Sequence, residues 1–141
     1  MVFSLEPVCC DVSEINQLDA DGRKIGPWEE YFRDGKLSAA GEYVTGKKTG
    51  LWRYYLRNGR VKAEGELIEG QMDGHWEWHR DNGNLLQVGS FDNGAQVGTW
   101  KRWHANGQLM DEGEYVAGRK VGEWKTYDVV GKLTKAQSFE K

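Results

Sequence analysis

At 141 residues, with a net charge of −3 and a sequence pI near 5.6, the chain lacks the dominant basic field that general nucleic-acid or anionic-membrane binding requires. A mean hydropathy of −0.75 and 38% hydrophobic residues exclude a thick core, yet seven Trp supply rings broad enough to cover a thin sheet. No apolar run approaches the length that crosses a bilayer, and residues 1–20 lack the basic start and long apolar stretch of a signal peptide, so the expected compartment is the cytoplasm.

Residues 1–21 stand out of phase with everything after them and read as an N-terminal cap, in which Asp11 to Leu18 would form a helical turn or an irregular strand. Cys9 and Cys10 are adjacent, a placement that strains any bond between them, so they read as small packing residues. From residue 22 to residue 141 the chain is an array. Trp28, Trp52, Trp76, Trp100 and Trp124 recur every 24 residues. Gly26, Gly50, Gly74, Gly98 and Gly122 keep the same period, as do the glycine sets that begin at Gly22, Gly35 and Gly41. Repetition on this scale assigns most glycines a structural role and leaves few residues for catalysis. A single array of small units, each leaning on its neighbours, is the expected organisation.

Within each unit the order is strand, tight turn, strand, turn. Asp34-Gly35, Asn58-Gly59, Asn82-Gly83 and Asn106-Gly107 lie between β-rich runs and match a two-residue type I′ turn, so each unit reads as a β-hairpin. Centring the second turn on Asn58-Gly59 sets Trp52 opposite Gly65, Arg53 opposite Glu64 and Leu56 opposite Val61. The same register places Trp28 opposite Gly41, Trp76 opposite Gly89, Trp100 opposite Gly113, and Lys101 opposite Glu112. A ring lies flat on a neighbouring strand only where no side chain rises beneath it, which is the role expected of these glycines.

Strand alternation then sorts two faces. In the second unit the packed face takes Trp52, Tyr54, Leu56, Val61, Ala63, Gly65 and Leu67. The open face takes Arg53, Tyr55, Lys62, Glu64 and Glu66. One ring per unit falls on this charged face, giving the column Tyr31, Tyr55, His79, Trp103 and Tyr127. With Leu86 expected to face His79 and Met110 to face Trp103, the least polar patch of the face lies there, and Tyr31, Tyr55, His79, Leu86, Trp103 and Met110 form the expected partner-binding set.

The run Gly98-Thr-Trp-Lys-Arg-Trp-His-Ala-Asn-Gly-Gln-Leu109 followed by Gly113-Glu-Tyr115 resembles the MORN repeat, and most closely its bacterial variant. The resemblance covers residues 22–141. It implies an elongated, single-layer antiparallel meander, no enzymatic activity, and service as an interaction module; many similar bacterial proteins are antitoxin-like. Departures are His79 and Trp103 at a tyrosine position, Val130 at an asparagine position and Gln137 where glycine is due, the last two marking a terminal unit that caps the array.

The remaining candidates for chemistry are each better read as structure. His75 and His79, four apart on a strand, stand about 13 Å from one another at roughly 3.3 Å per residue, too far to share a metal. His104 has no ligand cluster in sequence. His79-Arg80-Asp81 matches the start of a kinase catalytic loop, but Leu86 replaces the required asparagine and no Gly-rich loop precedes it. Asp19-Ala-Asp21-Gly22 lacks the closing glutamate of a calcium loop. Glu29-Glu30 lacks the cleft a glycosidase needs. Arg23-Lys24, Lys47-Lys48 and Arg119-Lys120 line one edge of the array, but Gln71-Met72 and Ala95-Gln96 interrupt the stripe. The expectation is therefore an all-β, non-enzymatic array that needs no cofactor or metal and binds a protein, such as a toxin or effector, as an antitoxin or immunity partner. A membrane-associated or self-assembling scaffold is the alternative, and nucleic acid is not expected.

Overall fold

A computed structural model describes residues 14–140; Cys9 and Cys10 lie outside them, as does most of the expected N-terminal cap. Eleven strands follow one another: β1 (Gln17–Leu18), β2 (Lys24–Tyr31), β3 (Leu37–Val44), β4 (Lys47–Tyr55), β5 (Val61–Ile68) and β6 (Gln71–His79), then β7 (Leu85–Asp92), β8 (Ala95–Trp103), β9 (Leu109–Val116), β10 (Arg119–Tyr127) and β11 (Leu133–Phe139). They pair in sequence order into one antiparallel sheet, β1 to β11 without a crossover. At about 4.8 Å per strand the sheet runs roughly 50 Å along its hydrogen-bonding direction. This is the single-layer meander that the resemblance to the MORN repeat implies, built of the hairpins that the 24-residue units predict.

The turns carry a correction. At Asn58-Gly59 the Gly59 N–H donates to the Leu56 carbonyl and the Leu56 N–H to the Arg60 carbonyl, with φ +89° at Gly59 and no positive φ at Asn58. The connection is a type I turn closed by a glycine in the left-handed region, not the expected type I′ turn. The type I′ geometry occurs at the other end of the hairpins. Thr45 (φ +43°) and Gly46 (φ +86°) join β3 to β4, and Glu69-Gly70, Asn93-Gly94 and Ala117-Gly118 repeat the arrangement. Asn58 has a different role: its Oδ1 accepts the Arg60 N–H, and its Nδ2 donates to the Asp81 carbonyl in the next unit.

The pairing register of Trp52 with Gly65 and of Arg53 with Glu64 is as expected. That of Leu56 with Val61 is not: Tyr54 pairs with Ala63 and Tyr55 with Val61, so Lys62 is an extra residue in a bulge. The longer turn displaces the strand by one residue beyond this point. The same shift recurs in every hairpin.

A second irregularity decides where the tryptophans go. Between β3 and β4 the register passes from Ala40 opposite Arg53 to Glu42 opposite Thr49, leaving Gly50, Leu51 and Trp52 against Gly41 alone. The crowding directs the Trp52 ring back onto the preceding hairpin. A Cβ built on Gly41 would stand 2.2 Å from Cδ2 of Trp52, and Gly65, Gly89 and Gly113 are covered in the same way by Trp76, Trp100 and Trp124. Each glycine thus accommodates the tryptophan of the following hairpin, although its opposite number in the register of its own hairpin is the earlier one. Nε1 of Trp52, Trp76 and Trp124 donates to the carbonyls of Glu42, Glu66 and Glu114, and Trp100 reaches Ser90. For Trp28 the short strand β1 substitutes for a preceding hairpin, the Gln17 carbonyl accepting its Nε1–H.

The core is consequently one ring deep and continuous along the array. Trp52 and Trp76 are wholly buried, among Ala39, Tyr43, Ala63 and Leu67. Edge-on and tilted rings link Trp28, Tyr43, Trp52, Tyr54, Trp76 and Trp78, and the series continues through Phe91, Trp100 and Tyr115 to Trp124. Such pairs add about 0.5–1.5 kcal/mol each beyond area burial. Lys24, Lys48 and Lys120 place Nζ 4.6 Å from the rings of Trp28, Trp52 and Trp124.

Candidate functional surface

The open face is defined by its polar contacts. Arg53 Nε donates to Glu64 Oε1 at 2.8 Å, and this hydrogen bond, with the carboxylate charge behind it, raises the guanidinium pKa further. Tyr31 donates its hydroxyl to Glu29, and Tyr127 Oη donates to Glu112 Oε2 at 3.3 Å. His79 Nε2 lies 3.5 Å from Glu77 Oε1. Despite two register shifts per unit, these members of the column therefore remain among the charged residues, opposite the tryptophans.

Among the described residues, no ring contact joins Tyr31, Tyr55, His79, Trp103 or Tyr127 to another ring, in contrast to the packed face, where the rings form one series. Tyr31 is half exposed, and Tyr55, His79, Trp103 and Tyr127 are partly buried. The expected partners of two rings need correction. His79 pairs with Leu85, not Leu86, and Trp103 with Leu109, not Met110. Leu86 and Met110 are the extra residues of the bulges, so two apolar side chains, rather than one, oppose each ring. Sequence reasoning missed Leu85 and Leu109 because it assumed a two-residue turn; the signal was the glycine of Asn-Gly, which also suits a three-residue loop.

Beside Tyr55, at the Asn-Gly end of the hairpins, an open hollow of about 570 Å³ is lined by Phe32, Tyr54, Leu56 and Arg57 among others. The Arg57 guanidinium lies 4.8 Å from the Phe32 ring and pairs with Asp34. Contacts from one unit to the next secure this edge: Arg80 Nη2 donates to the Trp103 carbonyl, the His104 ring meets the Tyr127 carbonyl, and Asn106 Nδ2 donates to the Val129 carbonyl. Arg80 and His104 are thereby accounted for as ties between hairpins.

Two other sequence features become structural. In Asp19-Ala-Asp21-Gly22, the Asp19 carboxylate accepts the N–H groups of Arg23 and Asp21; the first of these contributes most to holding its pKa below the usual carboxylate range. Half of the basic edge stripe is engaged in packing, since Lys24, Lys48 and Lys120 lie over tryptophan rings, and Arg23 pairs with Asp19 and Asp21. On the packed face, Arg102 grips the buried Asp111 through three contacts of 2.6 to 3.2 Å. No helix among the described residues is long and apolar enough to cross a membrane.

A sheet one layer thick, extended hairpin by hairpin and closed by nearest-neighbour contacts, defines a linear repeat protein. The family model for the MORN repeat variant matches residues 24–44, 72–93 and 96–117, so the chain carries MORN-type repeats. MORN repeats commonly serve as protein- or membrane-binding modules. No curated protein matches the chain in sequence. Among solved structures it is similar to part of an S. aureus TarM mutant in complex with fondaparinux, alpha-GlcNAc-glycerol and UDP (TM-score 0.43, 12% identity), covering 68% of this chain and 19% of that one. It is also similar to part of a GtfA/B complex bound to UDP and GlcNAc (TM-score 0.35, 11% identity), covering 64% of this chain and 22% of that one. The chain thus spans about a fifth of each of these proteins.

Proposed function

We propose that the chain is a protein-binding module without chemistry of its own, acting in the cytoplasm as an antitoxin-like or immunity partner that holds a toxin or effector protein. The observation that carries the binding reading is the ring column on the open face. Tyr31, Tyr55, His79, Trp103 and Tyr127 make no ring contacts with one another while the tryptophan face packs on itself. Large rigid rings among charges gain much burial on association at small entropic cost, which is why they dominate interface energetics. Trp103 with Leu109 and Met110, and His79 with Leu85 and Leu86, form the apolar centre of the footprint. The antitoxin role rests on resemblance to bacterial members of the family.

The test is affinity capture with wild-type protein, Trp103→Ala and Tyr127→Ala, with the captured chains identified by mass spectrometry. Trp103→Ala loses the partner and keeps the wild-type circular dichroism spectrum, whereas Tyr127→Ala in the last unit retains capture. Unchanged capture by Trp103→Ala would remove the open face as the binding surface. Salt-sensitive sedimentation with anionic vesicles, or concentration-dependent assembly of the purified chain, would favour the scaffold reading instead.

A further inference from the structure

We propose that Glu64, Glu77 and His79 form a site for one divalent first-row transition-metal ion on the open face. One ligand atom from each of the three lies within 4.8 Å of the others, close enough for small side-chain rotations to bring all three to the roughly 2.0–2.2 Å at which such an ion holds nitrogen and oxygen. Glu77 and His79 are two apart on β6 and so project from the same face, while Glu64 faces Glu77 across the β5–β6 pairing. A strand pair thus presents a three-point chelate that the separation of His75 and His79 along one strand does not suggest. The site shares His79 with the proposed partner footprint, but all three ligands belong to this chain.

The charge pattern of the sheet gives a separate reason for a cation at this place. In the row across the open face that contains these residues, Arg53 faces Glu64, Lys101 faces Glu112 and Glu112 faces Lys125, each pair opposite in sign. Only Glu64 and Glu77 face one another with like charge, and on its other side Glu77 meets Val88. Facing like charges destabilise an antiparallel pair. One step along, Glu66 faces Asp73, so the negative field is not relieved from that side. Arg53 holds one oxygen of Glu64, and the other is left for an ion. At this position, too, the ring column departs from its pattern: Tyr31, Tyr55, Trp103 and Tyr127 surround a histidine, the one side chain in the column able to ligate a metal through nitrogen. His75 Nε2 lies 3.0 Å from Glu77 Oε2 and orients that carboxylate.

One imidazole with two carboxylates suits zinc, cobalt, nickel or manganese better than calcium, which takes oxygen donors alone. Three protein ligands leave the remaining positions of the ion to water.

Zn²⁺ titrated calorimetrically into the chelator-stripped full chain is expected to bind saturably at one ion per chain and to raise Tm. Co²⁺ in its place should give visible d–d absorption, and Ca²⁺ should not compete. His79→Tyr, which restores the tyrosine that other units carry, keeps the fold and loses Zn²⁺ binding. Glu77→Gln loses binding as well, yet its metal-free Tm rises because the facing charges are relieved. The proposal is overturned if the wild type binds no zinc, if His79→Tyr binds as the wild type does, or if binding disappears in the Cys9→Ala, Cys10→Ala double variant.

Discussion

Trp76 lies on Gly65 so closely that a Cβ added to the glycine would stand 2.2 Å from Cδ2 of the ring. The contact crosses from one hairpin to the next, and its equivalents at Gly41, Gly89 and Gly113 make it the joint by which every complete unit is fixed to its neighbour. Gly65→Ala should therefore destabilise the array by at least about 3 kcal/mol, the upper range for overpacking, because neither the ring nor the backbone below it has room to move. Denaturant unfolding measures the effect, and a change under about 1 kcal/mol would contradict the packing described.

Truncating the ring tests the same joint from the other side. Trp76 is wholly buried, so Trp76→Ala should cost roughly 3–5 kcal/mol. The direction of stacking makes a sharper prediction. Gly89→Ala should couple to Trp100→Ala in a double-mutant cycle, with an interaction of about 1–3 kcal/mol, and couple far less to Trp76→Ala. Coupling to Trp76 instead would mean that each ring covers the glycine of its own hairpin.

The type I′ turns offer stabilising changes. Thr45 is β-branched and sits at φ +43°, a conformation that costs an ordinary L-residue about 1–2 kcal/mol. Thr45→Asn should recover about 1 kcal/mol, since asparagine enters this region more readily. At the opposite end of the hairpins Asn58 has no positive φ but bonds Arg60 and Asp81, so Asn58→Thr should destabilise. Thermal melts of the two variants are expected to move in opposite directions.

Stability should also fall in alkali through Tyr43. Burial, followed by the charge of Glu30 and the hydrogen bond that Tyr43 donates to it, pushes the phenol up to about 12 from an ordinary value of 10.0. The folded protein then retains a proton that the unfolded chain releases. The contribution is complete below pH 10 and is lost as the pH rises toward 12. Tyr43→Phe should be less steeply dependent on pH across this interval when denaturant midpoints are compared, and an unchanged slope would contradict the assignment.

The sequence by itself determined the period, the hairpins and the pairing of Trp52 with Gly65. Each of these follows from backbone preference or from the two-residue alternation of a strand, and a repeated signal averages out local exceptions. It also determined that one ring per unit joins the charges of the open face, since Arg53 and Tyr55, like Glu77 and His79, stand two apart on one strand and so share a face. Tertiary structure alone decided which glycine each tryptophan covers, because the ring is turned by crowding between Gly41 and the residues Gly50 to Trp52 on another strand. It decided the turn types in the same way: Asn-Gly satisfies more than one loop, and the choice shifted Leu85 and Leu109 into the places expected for Leu86 and Met110. The meeting of Glu64, Glu77 and His79 depends on pairing between separate hairpins, whose register is fixed by the packing of whole units rather than by any motif within one.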